Sequence, residues 1–231
     1  MSNPTMISAQ CPHCDKEIQV PYYEEINVQD HPELKAQILS GDLFKYTCPH
    51  CGETISTAGP LLYHDPAVPA MIYFLPQGFE SATDKLDEIL SLIQSMEADR
   101  ASLYQARIVS SIDKLLEKIY IQDAHLDDRV VELVKLAYLK HYGKDLQAKG
   151  SIHASLFMPS EDKNDAQIVF ILGDAGEMAS VDFSKDYYAY FATEFAQALS
   201  ADAATNQFRT IDEKWALDFI SAQPQKEDAP Q

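Results

Sequence analysis

An α+β fold is predicted: an N-terminal β module with a helical insert, central helices, and a C-terminal small antiparallel sheet with helices. Three observations predict it. All four cysteines sit in two copies of one tetrapeptide inside strand-like sequence. Apolar residues recur at helical spacing between Thr83 and Gly143. After Gly150 the spacing becomes strand-like, and a further helical stretch follows Ser184. The 231 residues are 46% apolar, enough for one large domain or two small ones. The expected divisions are 1–79 for the four-cysteine module, 80–145 for the helical region, 150–222 for a small α+β domain, and 223–231 for a flexible tail.

The module starts at Cys11-Pro12-His13-Cys14 and is completed by Cys48-Pro49-His50-Cys51, with no cysteine left over. A Cys-x-x-Cys turn aims backbone N–H groups at its sulfurs and places two thiolates on one metal. Two such knuckles close a four-thiolate tetrahedron with no open position, which points to one structural zinc ion per chain. Iron also suits four thiolates, and the spacing does not separate the two metals. Gly52 follows the second knuckle, where a positive φ is needed, and Asp15 takes the matching place in the first. The pairs are separated by 33 residues, more than in a usual zinc ribbon. The insert reads as structured. Ile18, Val20 and Tyr22 alternate as a strand, Asp30 and Glu33 form a capping box for a short helix ended by Gly41, and Leu43–Thr47 is a strand entering the second knuckle.

Two other readings of these residues stay open. Cys-Pro-His-Cys is also a redox tetrapeptide, and a thiol-disulfide oxidoreductase would use it at a helix N-terminus. Cys14 instead precedes a strand-like run that reaches Pro21, and Gly52 makes a poor helical turn, so the metal reading is favoured. His13 and His50 are possible substitute ligands. Their place between two cysteines favours an outward side chain, because four thiolates already close the site.

On these motifs the chain resembles the CpXC family, a bacterial and archaeal domain named for paired Cys-Pro-x-Cys sequences. The likeness extends to Ile26-Asn27-Val28, to Pro32–Lys35, to the run Pro60–Pro66, to Met71–Pro76, and to Leu126–Arg129. It covers about the first 130 residues. The resemblance implies a metal site at Cys11, Cys14, Cys48 and Cys51, with residues 80–145 completing the domain, and it implies no reaction.

Beyond the module, Met71–Leu75 is a short strand stopped by Pro76 and Gly78. Leu86, Ile89, Leu90, Ile93 and Met96 share a helix face, and Ile108, Ile112, Leu115, Leu116 and Ile119 share a second, with Arg107–Val109 open to an extended reading. Leu126-Asp127-Asp128-Arg129 opens a third helix ended by Gly143. Its paired carboxylates suit general acid/base chemistry in principle, but capping by Asp127 and a dipole role for Asp128 are favoured. His64-Asp65-Pro66 reads as a turn rather than part of a hydrolase site. In the C-terminal domain, strands at Ile152–Met158, Ala166–Leu172 and Ala179–Phe183 are joined by a polar loop at Ser160–Asp165 and a turn at Gly173–Gly176. Ser184 then caps a helix with Tyr188, Phe191, Phe195 and Leu199 inward. Phe208–Ile211 returns to the sheet, and a last helix carries Trp215 and Phe219.

Charge narrows the function. Lys plus Arg total 18 against 36 Asp plus Glu, giving −18. Residues 1–60 hold 3 basic and 8 acidic side chains, 61–150 hold 10 and 14, and 151–231 hold 5 and 14. No third of the chain is basic, so a nucleic-acid-binding zinc ribbon is the weaker alternative. Gly173-x-x-Gly176 is too short for a phosphate loop, and no nucleophile elbow or catalytic His spacing occurs. With no secretory leader or membrane-spanning run, a cytoplasmic location is expected. The function expected is that of a protein-interaction or scaffold module that binds another protein, without nucleic-acid or membrane partners; an enzyme is the less favoured class. The aromatics Tyr187, Tyr188, Tyr190 and Phe191 occupy more than one helix face, so some should be exposed as at interfaces.

Overall fold

The computed structural model describes residues 4–68, 70–79, 84–95, 104–160, 165–202 and 207–224. The chain divides into two compact units: Met1–Lys118 with Thr205–Arg209, and Ile119–Ala204 with Thr210–Gln231.

The first unit opens with a hairpin of β1 (Thr5–Gln10) and β2 (Glu17–Tyr22), paired antiparallel with Ile7 opposite Val20. β3 (Glu25–Asn27) follows, then α1 (Pro32–Leu39), whose buried residues are Leu34 and Ile38. The expected capping box does not form. His31 is the N-cap and Pro32 the first helical residue, so Glu33 lies one place short of the box position and bonds His31 instead. Gly41 does end the helix, with φ 74° and its N–H on the Ile38 carbonyl. A 3-10 turn at Asp42–Phe44 then takes part of the expected strand, leaving β4 (Lys45–Thr47) to pair with β5 (Thr54–Ser56).

β6 (Leu61–Asp65) and β7 (Ala70–Phe74) form the middle of a four-stranded sheet, ordered β3-β6-β7-β8. Its outer pairs are parallel and its central pair antiparallel. Both faces are covered, which is why Met71 to Phe74 read as one apolar run. Leu62, Met71 and Tyr73 share a face with Ile89 of α2 (Asp84–Ser95), and Leu86 and Leu90 pack beside them. Thr83 and Met96 of the expected helix lie outside the described residues.

Ile108 belongs to β8 (Gln105–Val109), opposite Tyr73; the extended reading of Arg107–Val109 holds, and the helix its spacing suggested does not include it. The parallel neighbour supplies hydrogen bonds that outweigh the local period. The helix α3 starts at Ile112 and runs to Asp123, across the division between units. The expected return of Phe208–Ile211 to the C-terminal sheet is also corrected. Arg209 bridges Arg107 of β8, accepting from Ile108 N–H at 3.1 Å, and Phe208 packs on Tyr73.

In the second unit, α4 (Asp128–Gln147) is buried on two sides. Val131, Val134 and Tyr138 join the core of an antiparallel sheet of β9 (Ile152–Pro159), β10 (Ala166–Leu172) and β11 (Glu177–Asp182). Val130 and Leu133 pack with Leu199, Ala216 and Phe219. The helix does not stop at Gly143. One interior glycine costs about 1 kcal/mol, less than burial of the next turn's Leu146 returns. Ser184 caps α5 (Lys185–Glu194) by accepting from Tyr187 N–H at 3.1 Å. A break at Phe195 starts α6 (Ala196–Ala201), and α7 (Glu213–Ser221) carries Trp215 and Phe219. The polar loop at 161–164 and the tail from 225 lie outside the described residues.

Candidate metal centre

Each Cys-Pro-His-Cys sequence forms the turn of a β-hairpin, the first between β1 and β2 and the second between β4 and β5. The two turns close with the same bonds. Asp15 N–H reaches the Cys11 carbonyl at 2.9 Å, and Gly52 N–H reaches that of Cys48 at 2.9 Å. Returning bonds run from Cys11 N–H to Lys16 and from Cys48 N–H to Glu53, both 2.9 Å. Both closing residues have positive φ, 57° for Asp15 and 77° for Gly52, so the aspartate does take the left-handed place of the glycine.

The four sulfurs meet across the knuckles. Cys11 Sγ lies 3.8 Å from Cys51 Sγ, Cys14 Sγ lies 3.8 Å from Cys48 Sγ, and all four fall within 4.8 Å of one another. Four thiolates at about 2.3 Å from one tetrahedral zinc stand about 3.8 Å apart, so the donor set and its spacing fit a metal ion. All four cysteines are free of disulfides. Cys11 and Cys48 are buried with Ile18, Val20 and Ile55, and Cys51 is exposed.

The electrostatics point the same way. Burial opposes ionisation of Cys48, but the N–H groups of His50 and Cys51 and two neighbouring thiols outweigh it and bring its pKa down to about 6. The Glu53 N–H favours the Cys51 thiolate, yet partial desolvation of its sulfur and the other three thiols push that group up to about 12. Burial and thiol neighbours also raise Cys14, against the Lys16 N–H. Sulfurs this close do not all hold negative charge alone; a divalent cation among them removes the repulsion.

A family model for CpXC proteins matches residues 9–135, more than half of the chain and all four cysteines. The chain belongs to the CpXC family. No curated protein and no solved structure matched it.

The other candidates in this CpXC chain are placed apart from the sulfurs. His13 and His50 are exposed and stand outside the ligand group. Neither Cys-Pro-His-Cys sequence opens a helix, the position that thiol redox chemistry uses. His64 and Asp65 lie on β6 and not in a turn; the turn starts at Pro66. Asp65 is buried, bonded by Lys35 Nζ at 3.1 Å and Ala67 N–H at 3.1 Å. His64 Nε2 lies 3.0 Å from the Tyr104 hydroxyl, and burial lowers its pKa. Asp127 caps α4 by accepting from Arg129 N–H at 2.9 Å and also holds the Arg129 guanidinium, which donates to the Leu199 carbonyl at 2.8 Å. Those partners serve packing within the second unit. Tyr187 and Tyr190 are exposed, while Tyr188 and Phe191 pack against the core.

The Lys35–Asp65 pair escaped the sequence reading because 30 positions separate its members. So did a cavity of about 890 Å³ beside the first knuckle, lined by residues scattered from Ile7 to Lys85. No local pattern joins them.

Proposed function

We propose that this is a cytoplasmic protein whose N-terminal module is held together by one structural zinc ion on Cys11, Cys14, Cys48 and Cys51, and which works by binding another protein. The observation that carries the reading is the meeting of four sulfurs at tetrahedral spacing from two matched turns. Zinc there supplies no chemistry beyond cross-linking, since four cysteines leave no open position. The N–H groups of Lys16, His50, Cys51 and Glu53 orient the sulfurs, and Pro12 and Pro49 stiffen the turns. Net charge of −18 argues against nucleic acid. Among the described residues no helix is long and apolar enough to cross a membrane.

Elemental analysis of the purified full chain, with thiol titration before and after strong chelation, tests the reading. One zinc per chain is expected, with thiols that react only once the metal is removed. A metal-free protein whose Cys11–Cys14 or Cys48–Cys51 pair cycles between dithiol and disulfide would instead establish the oxidoreductase.

A further inference from the structure

We propose that the cavity beside the metal centre receives an extended, apolar and basic segment of a partner polypeptide, which adds as a strand along Thr54–Gly59. The inference rests on the structural-metal reading, because both hairpins that wall the cavity turn through the cysteine knuckles.

One wall is a sheet face: Ile7 and Val20 stand opposite each other on β1 and β2, with Pro12 and His13 of the first knuckle beyond them. The other wall is every residue from Thr54 to Pro60 in succession. A strand seen face-on contributes alternate residues, whereas one seen edge-on contributes all of them. Among the described residues β5 pairs with β4 alone, so its second edge is open to an added strand. The far end of the run is anchored. Gly59 lies buried under the Tyr22 ring, and the Tyr22 hydroxyl donates to the Pro60 carbonyl.

The chemistry of the occupant follows from the lining and the charge. Tyr22, Tyr73 and Phe79 line the space with rings, and its volume of about 890 Å³ exceeds that of any single side chain. The charged groups Lys85 and Glu24 at this site pair with each other. That leaves apolar surface and a backbone edge as the recognition elements. Ile7 and Phe79 are 41% and 43% exposed at the opening, an apolar surface left to be covered. Residues 1–60 carry 3 basic against 8 acidic side chains, and a four-thiolate zinc adds further negative charge, so a basic segment is attracted and an acidic one repelled.

The test pans the full-length, metal-loaded protein against a phage library of random peptides of about twelve residues, the span of a short added strand. The most enriched peptide is synthesised, and its binding is measured by fluorescence anisotropy and amide exchange. Apolar residues alternating with Lys or Arg should be enriched. The peptide should slow exchange at Thr54–Gly59, and Ile7→Asp and Phe79→Asp should each weaken it about tenfold or more. Both side chains are substantially exposed, so the variants should melt as the wild type does. No enrichment, enrichment of acidic peptides, or binding indifferent to both variants would overturn the inference. Metal content measured on the same samples separates the two readings. A metal-loaded protein whose peptide ignores both variants sinks the cavity alone, and a metal-free protein that binds at Thr54–Gly59 sinks the metal alone.

Discussion

Removing the metal from the full chain should open the β1–β2 hairpin while leaving the four-stranded sheet closed. The hairpin consists of two six-residue strands, and ordering those residues costs roughly 1–2 kcal/mol each, about 18 kcal/mol in all. The apolar side chains buried in its core are Ile18, Val20 and Ile55, which return about 2 kcal/mol apiece, about 6 kcal/mol together. The shortfall of about 12 kcal/mol matches the roughly 10–16 kcal/mol that a structural zinc site contributes. The face of the large sheet built on Leu62, Met71, Tyr73 and Ile89 contains no cysteine and should not feel the loss. Hydrogen exchange read by mass spectrometry, before and after chelation, checks both halves. Amides of Thr5–Gln10 and Glu17–Tyr22 should lose their protection, and those of Leu61–Asp65 and Ala70–Phe74 should keep it. Equal protection of the hairpin in protein shown to be metal-free would refute the argument.

Two further outcomes are expected. Burial holds the pKa of His64 below its unfolded value of about 6.5, so the unfolded chain takes up the proton first; the stability tied to His64 is present above about pH 6.5 and lost as pH falls. Melting followed from about pH 7.5 down to about pH 5.5 should fall more steeply for the wild type than for His64→Gln, and parallel curves would count against it. A Cβ on Gly59 would meet Tyr22 Cε2 at 2.7 Å, so Gly59→Ala should lower the urea midpoint by the equivalent of about 1–3 kcal/mol, whereas an unchanged midpoint would mean that the ring yields freely.

What was legible in the sequence is local chemistry. The knuckle turns close over five residues, and the need for a left-handed residue after each second cysteine shows in Asp15 and Gly52. The Asp127 and Ser184 caps act within three residues of themselves, and the continuous apolar run in β7 reports a strand covered on both faces. The misreadings arose where distant chain decided. Ile108 fits a helical stripe, but Tyr73 on a neighbouring strand draws it into the sheet, and Arg209 joins the same sheet against Arg107. Gly143 resembles a stop signal until burial of Leu146 carries α4 past it.

By itself, then, the sequence determined the α+β class, the two cysteine turns and the acidity, because each depends on composition or on contacts within a few positions. Only the tertiary structure decided that the sulfurs of Cys11 and Cys51 come to 3.8 Å, that Lys35 neutralises Asp65, and that a cavity lined by residues from Ile7 to Lys85 opens beside the first knuckle. Such arrangements join segments tens of residues apart. Their loop-closure cost is met only when the whole unit folds, so no single segment carries a sign of them.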